Sequence, residues 1–165
     1  MKIIVTWACA VFILTGCATS SGVQIRIMPV SEDAKLYYFF PTVWLSKDTK
    51  DTSAKLDITY ISEKDNSVVC NISFYHTVKI PEAVSDIFLT GEGKDYALDD
   101  ITVLFVEPKT NELRITSVIP INAFMELLGA KVISLKASVD GNIYQYNPPK
   151  EFYSFRNQFV SAVGN

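Results

Sequence analysis

The chain has 165 residues, of which 48% are hydrophobic and 12% aromatic, and its formal net charge is −3. That length suffices for one domain with a buried core. Because the charge balance is mildly acidic and no basic run occurs, nucleic acid and anionic lipid headgroups are not expected as partners.

The N-terminal segment has the layout of a secretory signal. Lys2 provides a short positive region, and residues 3–14 form an almost wholly apolar run. This run is too short for a transmembrane helix, which needs roughly 20 apolar residues. We therefore predict a signal peptide over residues 1–16 that is removed from the mature protein.

The segment ends in Leu14-Thr15-Gly16-Cys17, which resembles the lipobox of bacterial lipoproteins. The resemblance implies cleavage after Gly16, a diacylglyceryl group on the Cys17 thiol and, usually, acylation of the new amino group. Stable anchoring to a membrane takes two or more such chains. Ala18, rather than an aspartate, follows Cys17, and the sorting rule of enteric-type bacteria then favours the outer membrane. The alternative is an ordinary secretory signal with a chance cysteine.

Residues 17–22 are expected to form a short tether. At about 3.5 Å per residue, it holds the domain within roughly 20 Å of the bilayer. Loss of the signal removes Lys2 and one cysteine, so the net charge becomes −4 and Cys70 is the remaining unmodified cysteine. No intramolecular disulfide is therefore expected. The neighbours Val68 and Ile72 predict that Cys70 is a small buried hydrophobe.

Alternation of apolar and polar residues dominates the chain from Val23 onward. Val23, Ile25 and Ile27 predict a first strand with one buried face. Residues 36–45 follow as an apolar, aromatic run that Pro41 interrupts. Because proline cannot donate a hydrogen bond to a neighbouring strand, this run is expected to be an edge strand or two short strands.

The aromatic residues of this run are the candidate partner surface. Successive side chains of a strand point to opposite faces, so they cannot all enter one core. Tyr37, Tyr38 and Trp44 are therefore candidates for contact with a partner protein or a sugar. The alternative is that a second sheet and a helix cover both faces of the strand.

The remainder of the chain predicts three hairpins, a short strand and two helices. The hairpins comprise residues 54–60 with 68–74, 101–106 with 113–119, and 132–139 with 142–146, and the short strand is residues 87–89. The helices are expected near 122–129 and near 149–163. The second helix is amphipathic, with a stripe formed by Phe152, Phe155 and Phe159.

This order of elements predicts a mainly β domain over residues 23–165, with antiparallel, sandwich-like sheets. The alternative is an α+β domain in which helices pack on one antiparallel sheet. In either arrangement, the phenylalanine face of the terminal helix closes one side of the core.

The sequence offers few groups for catalysis. His76 is its one histidine and is expected at a strand end. No phosphate-binding glycine loop, zincin helix or nucleophile elbow occurs. Asp95, Asp99 and Asp100 lack the spacing of a calcium loop and are interpreted as a solvated turn. We therefore predict no catalytic, metal or cofactor site.

The expected function is a non-catalytic interaction or assembly module, which is held close to a bacterial envelope membrane and binds an envelope protein. The alternative is a binder of a small or lipid-like molecule in a cavity between the sheets, and an uncharacterised hydrolase is a third class. A dense core with an apolar surface patch favours the first function. An apolar cavity of roughly several hundred Å³ favours the second.

Overall fold

The structure is a computed structural model, and it describes residues 25–62 and 66–163. Several of the sequence predictions lie outside these ranges. They are the signal peptide, the tether, and the assignments made for Leu14, Thr15, Gly16, Cys17, Ala18 and Val23.

The described residues form ten strands and two helices. The first five strands are β1 Ile25–Pro29, β2 Lys35–Ser46, β3 Thr52–Ile61, β4 Ser67–His76 and β5 Val84–Gly91. The others are β6 Lys94–Ala97, β7 Asp99–Glu107, β8 Glu112–Pro120, β9 Ile133–Val139 and β10 Asn142–Asn147. The helices are α1 Ile121–Gly129 and α2 Lys150–Val163.

All ten strands belong to one antiparallel sheet. Its order is β6-β5-β9-β10-β2-β3-β4-β8-β7, and β1 pairs with β2 beside this path. The strands at the two ends, β6 and β7, are consecutive in the chain and are joined by Leu98 alone. The sheet therefore curls until it is nearly closed on itself, with its opening between β6 and β7.

The mainly β prediction is confirmed. The three predicted hairpins correspond to β3–β4, β7–β8 and β9–β10, and both helices lie where the sequence places them. The strands share one sheet, as in the alternative arrangement, because β10 pairs with β2. That junction consists of two residue pairs, Tyr146 with Ser46 and Asn147 with Leu45. It joins two groups of strands that would otherwise be separate sheets.

Helix α2 closes the core with its phenylalanine stripe, as predicted. The Phe155 ring lies 4.7 Å from that of Phe39, and the Phe152 ring lies 4.8 Å from that of Trp44, both in edge-to-face contact. Phe159 packs on Phe39 as well, at 5.0 Å. Aromatic pairs of this geometry stabilise a core beyond the burial of their surface. Among the described residues, no helix is long and apolar enough to cross a membrane.

The prediction that residues 36–45 form an edge is wrong. They belong to β2, which pairs with β3 along one side and with β1 and β10 along the other. Pro41 is accommodated because the register of the β2–β3 pair shifts between Phe39 and Thr42. Along the other side of β2, pairing with β1 extends only as far as Phe39, and pairing with β10 begins at Leu45. Pro41 therefore occupies a place where no hydrogen bond is required.

The burial predicted for the first strand is only partly correct. Ile25 is half-buried and packs against the core, but Ile27 is 54% exposed. The reason is that β1 pairs with β2 alone and lies beside the main path of the sheet, so part of it extends past the covered core.

Candidate interaction surface

Two of the three aromatic residues predicted for the partner surface do not lie at the surface. Tyr37 and Trp44 are both buried in the core. The irregularity around Pro41 inserts one extra residue into β2. Odd-numbered side chains therefore point into the core before Pro41, and even-numbered side chains point into it afterwards. The buried indole N–H of Trp44 has a hydrogen-bond acceptor there, because Nε1 donates to Thr42 Oγ1 at 3.0 Å.

Tyr38 is the third residue of that prediction, and it lies on the outer face of the sheet. It is half-buried, and its ring lies 5.2 Å from that of Phe40. Burial and the nearby Asp57 carboxylate raise the pKa of Tyr38. Tyr38 thus belongs to the cover of a polar cluster and is not an open aromatic platform.

That polar cluster joins three strands on the outer face of the sheet. Arg114 of β8 forms an ion pair with Asp57 of β3, and its Nη1 donates to Ser73 Oγ of β4 at 2.8 Å. Asn71 Nδ2 donates to the other oxygen of Asp57 at 2.8 Å. Asp57 is only 2% exposed. This burial was not predictable from the alternating pattern, because an aspartate in an alternating strand usually faces solvent.

In the described part of the chain, β7 forms an open apolar surface instead. Within residues 25–62 and 66–163, β7 pairs with β8 alone, so its other edge is free. Eight of its nine residues are exposed. The exposed apolar side chains are those of Ile101, Val103, Leu104, Phe105 and Val106.

Both faces of β7 carry these side chains. Val103 and Val106 lie opposite Ile115 and Leu113, on the face that is buried in β8, whereas Phe105 lies opposite Arg114 on the other face. Val103 nevertheless remains 54% exposed and Phe105 46% exposed. A free edge of this kind is a template for pairing with another strand.

Comparison with protein-family models, curated proteins and solved structures gives no match.

Acidic residues border the apolar part of β7 at each end. Asp99 and Asp100 precede it, and Glu107 follows it. In the part of the chain that the structure describes, none of the ion pairs involves these three carboxylates. Glu107 Oε1 accepts a hydrogen bond from the backbone amide of Lys109 at 3.0 Å. The strand is therefore an apolar stretch between negative ends.

The sequence contained a signal for β7 that the alternating pattern obscured. Residues 103–106 are apolar at four consecutive positions. Such a run is typical of a strand that is covered on both faces. In the structure both faces of β7 are only partly covered, because its apolar side chains remain between 37% and 54% exposed.

The prediction that Asp95, Asp99 and Asp100 form a turn is wrong, because Asp95 lies in β6 and Asp99 and Asp100 begin β7. Asp95 and the histidine have ordinary structural partners. Asp95 accepts hydrogen bonds from Thr90 Oγ1 at 2.7 Å and from Lys136 Nζ at 3.0 Å, and these contacts lower the pKa of its carboxyl. His76 ends β4, as predicted, and its Nδ1 accepts the Val78 amide at 3.1 Å. No group of three or more metal-ligating side chains converges within the described residues.

Cys70 is a small hydrophobe of the core, as the sequence predicts. Its side chain is fully buried between β3 and β8. Burial, with a smaller effect of the Asp57 charge, raises the pKa of the Cys70 thiol to about 12. The thiol is therefore protonated at neutral pH and is a poor nucleophile.

The concave features include three open grooves. One of about 310 Å³ lies at the end of the β3–β4 and β7–β8 pairs, and one of about 290 Å³ lies beside Gly91 and Glu126. The largest, of about 610 Å³, lies between α1 and α2. Met125, Leu128 and Val160 contribute apolar surface to this groove, and Lys131 and Arg156 contribute positive charge.

Proposed function

We propose that this chain is a non-catalytic interaction or assembly module, and that it binds an extended segment of an envelope protein along the free edge of β7. The observation that carries this proposal is a strand with one unpaired edge, whose apolar side chains are partly exposed on both faces. Strand addition uses such an edge, because the incoming backbone satisfies the free amide and carbonyl groups.

Burial of side chains would supply further affinity. Complete burial of a valine, leucine or phenylalanine side chain is worth about 1.5–3 kcal/mol. The apolar side chains of β7 are between 37% and 54% exposed, so each retains part of this free energy for a partner. Several such residues in a row offset the entropic cost of ordering an extended peptide.

We further propose that a lipid on Cys17 holds the module at the membrane surface, with the outer membrane favoured by Ala18. The lipobox Leu14-Thr15-Gly16-Cys17 and the short following segment support this placement. Intact-mass measurement of the native protein tests it. A chain that begins at Cys17 and carries acyl mass is expected, and a Cys17→Ser variant should accumulate uncleaved. A native chain that begins upstream of Cys17, or that lacks acyl mass, would contradict the proposal.

Site-specific photocrosslinking in cells tests the docking function. A photoreactive amino acid at position 105 should give a discrete adduct with another protein in the membrane fraction. The same amino acid at position 143 is the control, because Ile143 is also apolar and is 79% exposed, but it lies on β10.

Charge variants show whether that adduct depends on the edge of β7. Leu104→Lys should abolish the adduct formed from position 105, because lysine on an edge strand opposes strand pairing. Ile143→Lys should leave it unchanged. Equal adducts from positions 105 and 143, or an adduct that survives Leu104→Lys, would reject β7 as the docking surface.

The groove between α1 and α2 supports a second candidate function, the binding of an amphipathic anion. Its apolar residues and the cations Lys131 and Arg156 suit a fatty-acid-like ligand. This groove lies between the helices, whereas the sequence interpretation placed a cavity between the sheets. Titration with a fluorescent fatty acid tests it. Saturable binding that weakens in Lys131→Ala supports the function, and absence of saturation rejects it.

A further inference from the structure

We infer that the segment that docks on β7 is an apolar strand of another protein, that it runs antiparallel to β7, and that lysine or arginine follows its apolar part. This inference rests on the proposed docking function and specifies the chemistry of the partner. The observation behind it is the distribution of charge along the free edge.

The charge at the beginning of β7 is negative and uncompensated. Asp99 and Asp100 are adjacent and exposed, and within the described residues neither forms an ion pair. At the other end, the single carboxylate of Glu107 is followed by Lys109. The first end of the strand is therefore the stronger site for a cation, and complementary charges across an interface fix the register of the partner.

The direction follows from the sheet. Every strand pair among the described residues is antiparallel, including β7 with β8. An antiparallel strand added at β7 ends beside the residues where β7 begins. The basic residues of such a partner must therefore follow its apolar part to reach Asp99 and Asp100.

A second copy of this chain fits the edge poorly in the register that pairs the whole of β7. Two β7 strands that pair about Val103, the middle of the strand, place Asp99 opposite Glu107. Like charges at directly opposite positions destabilise a strand pair. Pairing about Leu104, a register shift of two residues, places Lys109 opposite Asp99, but Lys109 lies in the turn beyond β7, and Pro108 then falls opposite Asp100. Proline cannot donate a hydrogen bond to that pair.

Binding of three labelled peptides to the full-length protein in detergent tests the inference. The peptides share the apolar part TVFVTV and end in KK, SS or EE. At low salt, the KK peptide is expected to bind about tenfold more tightly than the EE peptide, with the SS peptide between them. The difference should shrink as salt is raised, because the charges are exposed.

Substitution of the carboxylates locates the effect. In the double variant Asp99→Asn/Asp100→Asn, the KK peptide should lose its advantage while the SS peptide binds as before. Asn is suitable at position 100 because the φ of Asp100 is +53°, a conformation that asparagine tolerates. The matched control is Asp33→Asn/Asp86→Asn, which removes two other exposed aspartates, one of them at a φ of +47°.

The outcomes separate the inference from the proposed function. Equal binding of all three peptides, abolished by Leu104→Lys, would overturn the charge inference and leave strand docking in place. Absence of peptide binding would also overturn the inference, and the crosslink from position 105 would then decide the docking function separately. A crosslink from position 105 to a second copy, with a dimer in sedimentation, would identify the chain itself as the occupant and overturn the inference.

Discussion

Strands β4 and β7 flank the same strand, β8, yet their surroundings are opposite. Val68, Cys70, Ile72 and Phe74 of β4 are fully buried, whereas the apolar residues of β7 are exposed. Both strands are rich in β-branched and aromatic residues, so composition does not distinguish them. The difference lies in their position in the sheet. An apolar strand at the end of a sheet can therefore have the composition of a buried strand while its side chains remain exposed.

The largest expected effect comes from paired truncations in the two strands. Phe74→Ala should lower the free energy of unfolding by about 3–5 kcal/mol, because it leaves a cavity beside Tyr146. Phe105→Ala should cost less than about 1 kcal/mol, because the side chain is already half exposed. Urea denaturation of both variants measures the contrast. Equal costs would mean that β7 is as well covered as β4.

The polar cluster over the outer face of β4 should give the next largest effect. Asp57→Ala leaves the partly buried Arg114 without its carboxylate partner and should cost about 3 kcal/mol. The double variant Asp57→Ala/Arg114→Ala should cost less than the sum of the Asp57→Ala and Arg114→Ala costs. A double-mutant cycle by urea denaturation measures this coupling. Additive costs would contradict the role of the ion pair in covering this half of the sheet.

A smaller effect is expected near the other end of the sheet, where α1 covers β5. A methyl group added at Gly91 would lie 2.8 Å from Ala130 Cβ and 3.1 Å from Leu127 Cδ1. Gly91→Ala should therefore destabilise the protein by about 1–3 kcal/mol. Gly129→Ala is the control, because nothing lies within 4 Å of its added methyl group. Thermal unfolding should show a lowered Tm for Gly91→Ala alone.

The smallest effect concerns the turn between β9 and β10. Asp140 accepts the amides of Glu82 and Ala83 at 2.8 and 3.0 Å and pairs with Lys79 at 2.7 Å. Partial burial alone would raise its pKa, but these contacts outweigh burial and lower the pKa below 3.8. Asp140→Asn should cost about 1 kcal/mol at neutral pH.

The stabilisation contributed by the Asp140 carboxylate should depend on pH. Because the folded-state pKa of Asp140 is lowered, its stabilisation is fully present above the unfolded-state pKa. It is lost as pH falls below 3.8 and through the folded-state pKa. The free energies of unfolding of Asp140→Asn and the unsubstituted protein, measured by urea denaturation, should therefore differ at pH 6 and approach each other as pH falls below 3.8. A constant difference across this range would contradict the role of the charged carboxylate.

Local pattern predicted the hairpins and the terminal helix because each depends on neighbours in sequence. Asp140-Gly141 illustrates this, since both residues have positive φ in the turn that the sequence predicts. The inward turn of Trp44 was not predictable, because it depends on an irregularity at Pro41. The exposure of Phe105 depends on which strand ends the sheet, and periodicity within one strand does not encode strand order.

The most direct measurement of the central claim is the yield of crosslinked partner from position 105 relative to position 143 in intact cells. A free docking edge predicts a discrete adduct at position 105, little or none at position 143, and loss of the first in Leu104→Lys. Similar yields at both positions, unaffected by that substitution, would contradict the account.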